Sequence, residues 1–173
     1  MYREFRLTLI LTVLVLLSTV ALAETPIQIA LFNPVQIFPE SESIKGVRLN
    51  LIYGKNAALT GVDLGLVNHL TQPSIGIQWG FVSVTESDFS GWQHNFVNYT
   101  EGSFLGLQDG MVNYARDATG VQWGFINYAE HASGLQLGFI NYVETMKGIQ
   151  IGLVNYIREG GFLPVFPIVN WSF

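Results

Sequence analysis

The chain has 173 residues, of which 49% are apolar and 12% are charged, a composition far from that of a disordered protein. Its net charge of −5 argues against binding to nucleic acid, and against binding to an anionic membrane by charge, because both need a basic surface. It contains no cysteine, which excludes a disulfide framework and thiolate chemistry.

Residues 1–23 have the organisation of a bacterial secretory signal peptide. A basic start with Arg3 and Arg6 precedes an 11-residue apolar run, which is too short for a membrane-spanning helix of about 20 residues. The segment ends in Ala-Leu-Ala at 21–23, the small-residue pattern of a cleavage site. We predict cleavage at this point, with an uncleaved anchor as the alternative. Because the removed segment carries two basic residues and one acidic residue, the net charge of the mature chain, 24–173, becomes −6.

The mature chain consists almost entirely of copies of one short unit, about ten in all, which predicts a single repeat domain. Regular copies extend from 46 to 160, and atypical copies at 24–45 and 161–173 are expected to cap the two ends. The spacing is 15 residues up to Gly106 and 14 residues afterwards. The regular copies start at Gly46, Gly61, Gly76, Gly91, Gly106, Gly120, Gly134 and Gly148.

Aligned copies show one residue type in each column, counted from the first glycine. Column one is Gly, column three is mostly Gln, column five is small, column eight is mostly Asn, and column nine is most often Tyr. Columns two, four, six and seven are apolar in most copies, and variable polar residues then connect to the next copy. The alternation over columns two to four predicts a strand. The adjacent apolar columns six and seven predict a corner after the small residue, with positive φ at columns five and eight.

The length of the unit limits how the copies pack. Nine extended residues span about 30 Å, and five or six connecting residues cannot return over that distance. Each copy therefore bends into one coil of an all-β, parallel β-solenoid, or successive copies run antiparallel as a barrel or meander. Uniform spacing favours the solenoid. The aromatic end at 171–173 supports the barrel, whereas Pro164, Pro167, His94 and Asp109 within its strands oppose it.

The Gly-x-Gln-x-Gly-apolar-apolar-Asn unit and the C-terminal segment at 161–173 resemble those of uncharacterised bacterial surface-repeat proteins, exported or lipoprotein. The resemblance covers the whole mature chain and implies localisation in the cell envelope. Unlike the lipoprotein members, this chain lacks the cysteine that would carry a lipid anchor.

Column four contains the main local irregularity of the repeat. Two adjacent copies carry His94 and Asp109 where the others are apolar, and Trp79 and Trp123 flank them. If the coils stack in parallel, the His and the Asp lie one coil apart and can pair. We predict a small polar binding spot with an aromatic rim, similar to a site for a sugar or a peptide. A purely structural pair, or a column that faces solvent at this point, is the alternative.

No catalytic residue, metal ligand or cofactor site is predicted, because the sequence has no nucleophile elbow, phosphate-binding loop or metal-ligand spacing. We therefore expect a non-enzymatic protein with a structural or adhesive role, exported to the periplasm, outer membrane or surface of a bacterium. The expected partners are a surface glycan or a protein. A small outer-membrane β-barrel, acting as a pore or membrane stabiliser, is the alternative function.

Overall fold

The computed structural model describes residues 25–173, so the predicted signal peptide lies outside the described residues. All regular elements within that range are β-strands of one sheet, in the order β2-β1-β3-β4-β5-β6-β7. The strands are β1 (Ile27–Phe32), β2 (Val35–Gln36), β3 (Ile44–Asn56), β4 (Leu59–Leu70), β5 (Ser74–Thr85), β6 (Phe89–Glu159) and β7 (Val165–Ser172).

Successive copies of the repeat pair in parallel and in register. Gly46 lies beside Gly61, Gly61 beside Gly76, and Gly76 beside Gly91. The range of β6 covers several later coils, and each of its later column-one glycines still stacks on the glycine of the preceding copy. The prediction of a parallel β-solenoid is therefore confirmed. The antiparallel barrel or meander is wrong, because it requires successive copies to run in opposite directions.

Each coil bends at column six. In the pairing of β4 with β5, Gly65 lies beside Gly80 and Val67 beside Val82, but the column-six residues between them are not paired. Those column-six residues, Leu66 among them, point outward and are exposed. The corner thus divides each coil into two short strands, as the adjacent apolar columns predict.

The predicted positive φ at columns five and eight is wrong. Within residues 25–173, the repeat places positive φ at column one instead, for example 134° at Gly91. Column five is small because the interior leaves no room: a Cβ on Gly80 would lie 1.8 Å from the carbonyl oxygen of Gly65 and 3.0 Å from Nδ2 of Asn68. Column eight is Asn because its amide points inward and is buried.

Two chains of hydrogen-bonded amides run through the interior of the stack. In the Gln ladder, Nε2 of each Gln donates to Oε1 of the Gln in the preceding coil at 2.7–2.8 Å, from Gln150 back to Gln78. In the Asn ladder, Nδ2 of each Asn donates to Oδ1 of the Asn in the following coil at 2.8 Å, from Asn98 forward to Asn155. Because the two ladders donate in opposite directions, their amide dipoles oppose each other along the solenoid axis.

The Gln ladder begins on a buried ion pair. Nε2 of Gln78 donates to Oδ2 of Asp63 at 3.0 Å, and Arg48 donates to both oxygens of the same carboxylate at 2.8 and 2.6 Å. Both charged side chains are completely buried. A carboxylate has no proton to donate and only accepts hydrogen bonds. It therefore ends a ladder in which the NH₂ group of each Gln donates to the preceding coil. Arg48 in turn neutralises that carboxylate.

Asparagines in column five replace missing members of the Asn ladder. In the first coil Gly54 lies beside Asn68 of the next coil, and it has no side-chain amide that could bind Asn68. Nδ2 of Asn50 donates to Oδ1 of Asn68 at 2.8 Å instead. Where column eight is Ser83, the hydroxyl of Ser83 donates to Oδ1 of Asn98 at 3.2 Å, and Nδ2 of Asn95 donates to the same oxygen at 2.7 Å. The two exceptions to a small column five therefore preserve the hydrogen bonds of the interior.

An apolar core fills the interior beside the connections. Its members lie two residues before column one and one residue after column nine, so they pack against each other across the coil. They are Ile44, Leu59, Leu70, Phe89, Phe104, Ala115, Ala118, Ala129, Ala132, Val143, Met146 and Ile157. The interior thus has an amide half near the corner and an apolar half near the connections.

The two ends of the stack differ from its middle. At the N-terminal end β1 adds a parallel strand, with Ile27 beside Val47, and β2 pairs antiparallel with β1. At the C-terminal end the degenerate last copy does not stack in parallel, because β7 turns back and pairs antiparallel with the last coil. The carbonyl of Phe166 in β7 accepts from Nδ2 of Asn155 at 3.1 Å, which ends the Asn ladder.

Gly91→Ala should strongly destabilise the solenoid. Its Cβ would lie 2.0 Å from the carbonyl oxygen of Gly76, at a φ that side chains rarely adopt. We expect a loss of more than about 3 kcal/mol in the free energy of unfolding, measured by urea denaturation. Gly160→Ala is the matched control, because Gly160 also has positive φ but its Cβ would lie 3.5 Å from the nearest atom. It should lose about 1–2 kcal/mol. Equal losses would contradict the close stacking of the glycines.

Arg48→Gln and Asp63→Gln should each lower the free energy of unfolding by about 3–5 kcal/mol, because each leaves one buried charge without its partner. The double variant restores the amide of column three in both coils. It should therefore lose less than half of the sum of the single variants, in a double-mutant cycle of unfolding free energies. Additive losses would mean that the ion pair does not continue the Gln ladder.

Candidate binding surface

The coils place apolar side chains outside and amides inside. Trp123 is 62% exposed, whereas its neighbour Gln122 is 2% exposed. This reverses the usual distribution, in which Leu, Ile and Phe are buried and Gln and Asn are exposed. Strand alternation is the cause: once the amides fill the interior, the apolar residues next to them must face outward.

The column-six residues form a continuous apolar ridge along the corner of the solenoid. They are between 41% and 62% exposed, and none of them is charged. Rings in adjacent coils stack along the ridge, with centroids 5.0 Å apart for Phe81 and Phe96 and 4.8 Å apart for Phe125 and Phe139. The apolar ridge consists of Leu51, Leu66, Phe81, Phe96, Met111, Phe125, Phe139 and Leu153.

Charged side chains lie at the opposite edge of the coil, in the connections. Some pair within this charged edge, as Arg158 does with Glu144 at 3.1 Å and Arg116 with Asp117 at 3.1 Å. Its residues in the regular copies include Glu86, Asp88, Glu101, Arg116, Asp117, Glu130, Glu144, Lys147, Arg158 and Glu159. Each coil is therefore amphipathic around its perimeter.

The structure brings His94 and Asp109 together in adjacent coils on the outer surface. Nδ1 of His94 pairs with Oδ1 of Asp109. The side chains of His94 and Asp109 are 43% and 19% exposed, so the pair lies at the surface rather than in the core. Trp79 packs edge-on against the imidazole, with ring centroids 5.0 Å apart.

Trp92 belongs to the same cluster and was not among the residues predicted for it. Its Nε1 donates to Oδ2 of Asp109 at 2.9 Å, and its ring lies 5.7 Å from that of His94. The available signal was strand alternation, because Trp92 and His94 are two residues apart and therefore share one face. With two donors bound, Asp109 has a partner for each of its oxygens.

Trp123 lies on the other side of this cluster from Trp79. It forms one wall of a shallow, open depression of about 420 Å³. The depression is lined by His94, Asp109, Gly110, Trp123, Gly124 and Phe125. An exposed indole face beside an imidazole and a carboxylate provides one apolar surface and a few polar groups, the combination that small-ligand sites use.

A column of stacked tyrosines lies on the second face of the coil, beyond the corner. Neighbouring ring centroids are 4.7–5.3 Å apart. Partial burial raises the pKa of the Tyr114 and Tyr128 phenols, so these hydroxyls stay neutral up to a higher pH than a free tyrosine. The stack contains Tyr99, Tyr114, Tyr128, Tyr142 and Tyr156.

Within residues 25–173 no group of three or more His, Asp or Glu side chains is arranged to hold a metal ion. The same part of the chain contains no helix with the length and hydropathy of a membrane span. Comparisons with protein-family models, with curated proteins and with solved structures gave no match.

His94→Leu/Asp109→Leu should fold normally, since Leu occupies column four in other coils. Exposed ion pairs contribute about 0–1 kcal/mol, so the unfolding free energy of the double variant should lie within about 1 kcal/mol of the wild type. Asp109→Leu alone should be less stable than the double variant, because it leaves two donors without their acceptor. If the double variant also binds glycans and cell surfaces as the wild type does, the predicted binding spot does not exist.

Proposed function

We propose that the protein is a non-enzymatic protein of the bacterial cell envelope with a structural or adhesive role. In this role the solenoid is a rigid support that holds the apolar ridge against another envelope component. The observation that carries the proposal is the reversed distribution of side chains around the corner of the coils, where polar side chains, mostly amides, lie inside and apolar residues lie outside.

Rigidity follows from the interior. Inner coils are bound to their neighbours by backbone hydrogen bonds, and the coils from Gly91 to Gly148 are also bound to one another by both amide ladders. A polar network of this kind favours one arrangement, because any slip of one coil leaves further buried amides without partners. Such a stack suits a protein whose function is to present a surface of fixed spacing.

The exposed apolar surface supports a role in binding. Soluble monomers rarely expose a continuous apolar patch of more than a few hundred Å², and larger patches mark sites of interaction. The apolar ridge extends over eight coils, and column four adds further apolar area beside it. A second candidate partner is a surface glycan at the depression beside His94 and Trp123, where a sugar ring could stack on the indole.

Export to the envelope is supported by the predicted signal peptide at 1–23 and by the resemblance of the repeat unit to bacterial surface-repeat proteins. The processed chain would begin at Glu24. The acidic net charge fits a role that does not depend on binding to anionic polymers or lipids.

Fractionation of a bacterium that expresses the full chain tests this proposal. The ridge variant carries Phe81→Ser, Phe96→Ser, Phe125→Ser and Phe139→Ser. We expect the wild type in the envelope fraction with its N-terminus at Glu24, and the ridge variant in the soluble periplasmic fraction, because it has lost its apolar contact.

The matched control is Ile75→Ser/Leu105→Ser, which removes exposed apolar residues just before column one, away from the apolar ridge. The control should follow the wild type into the envelope fraction. Cytosolic wild type, or the same distribution for the wild type and the ridge variant, would contradict the proposed function. Circular dichroism of each variant verifies that the strands have formed.

A further inference from the structure

The polarity of the coil changes in order around its perimeter. Leu and Phe occupy the apolar ridge at the corner. Trp79, Trp92 and Trp123 lie behind it on one face, and the tyrosine stack lies behind it on the other. The charged edge is farthest away. Membrane proteins meet a bilayer in the same order, with aliphatic and Phe side chains in the acyl region, Trp and Tyr at the interface, and charges in water.

The shape of the apolar surface favours a fluid partner. Apolar residues occupy column six at the corner, column seven on one face and, in every regular coil except those of His94 and Asp109, column four on the other face. A surface that wraps around a corner is convex. A second rigid solenoid could cover only one face of it at a time, whereas lipid can surround both faces and the corner.

The area of the apolar ridge is large enough for stable insertion. Half-exposed side chains of this size each present on the order of 100 Å², so eight of them present about 800 Å². One partner in a stable protein complex contributes a similar area of about 800 Å². With coils spaced by about 4.8 Å, the apolar ridge is about 35–40 Å long.

On both sides of the corner, the backbone of the coils meets the main requirement of a lipid environment, which is that backbone N–H and C=O groups are paired within the protein. Only the column-six residues at the corner itself fall outside the register of the paired strands. Inner coils pair with the coils on both sides, as β4 pairs with β3 and β5. The outer coils are covered by β1 and by β7. Lipid would therefore meet mainly side chains along the length of the apolar ridge.

From these observations we infer that the apolar ridge inserts into the surface of a lipid bilayer, with the solenoid axis lying along the membrane plane and the charged edge in water. This inference rests on the proposed function and names the partner of the same surface. Insertion is driven by apolar contact and not by charge, because the mature chain, 24–173, carries a net charge of −6.

Flotation with vesicles tests the inference on protein that has been purified after export. Vesicles of phosphatidylcholine alone are compared with vesicles that also contain anionic phosphatidylglycerol. The wild type should float equally well with both. The ridge variant should bind at least about tenfold more weakly, and Ile75→Ser/Leu105→Ser should bind as the wild type does.

A measurement on the wild type alone keeps the test independent of how the variants fold. Phosphatidylcholine with brominated acyl chains should quench the tryptophan fluorescence on binding, because the indoles lie at the depth of the interface. The absence of both flotation and quenching would overturn the inference. Flotation only with phosphatidylglycerol would also overturn it, because binding would then depend on charge.

If a partner other than lipid covers the apolar ridge, these experiments give a different result for each kind of partner. A wild type that sediments as a dimer, dissociates on introduction of the ridge substitutions and does not float would show that a second copy covers the apolar ridge. Loss of envelope retention by the ridge variant, without any binding to vesicles, would identify a protein partner. In that case the proposed function would stand and the lipid inference would fail.

Discussion

The structure depends on one constraint, which is that a buried amide must be paired on every coil. Parallel stacking in register satisfies it, because each Gln or Asn meets an identical side chain in the next coil and offers both a donor and an acceptor. The ladders from Gln150 to Gln78 and from Asn98 to Asn155 are the result. Where the pattern fails, another group replaces it, as the Arg48–Asp63 pair does at the start of the Gln ladder.

The same constraint determines the outer surface. A strand alternates its side chains, so placing the amides inside moves the neighbouring apolar columns outside. Apolar burial beside the connections, around residues such as Phe89 and Ile157, supplies a small core. Many of the remaining apolar side chains are exposed, and those of column six follow the corner as a single ridge. An interior of amides and an exposed apolar exterior are thus two consequences of one repeat.

Much of the architecture could be predicted from the sequence, because a uniform spacing of identical residues has few physical explanations. The parallel register and the meeting of His94 with Asp109 both follow from it. The inward direction of the column-eight Asn side chain does not follow from the spacing, because Asn is equally suited to a turn and to a hydrogen-bonded ladder. Positive φ at column one depends on how closely the carbonyl of the preceding glycine approaches, which no residue type reveals. The role of Asn50 depends on a register shift in the first coil that moves Gly54 beside Asn68.

Hydrogen exchange of the side-chain amides, followed by NMR spectroscopy, tests the central claim most directly. If the ladders hold the stack together, the NH₂ groups of Gln108, Gln122, Asn113 and Asn127 exchange as slowly as the strand backbone, because they open only when coils separate. Gln72, exposed in the connection before β5 and outside both ladders, provides a reference and should exchange much faster. Exchange of the ladder amides at the rate of this reference would contradict the account.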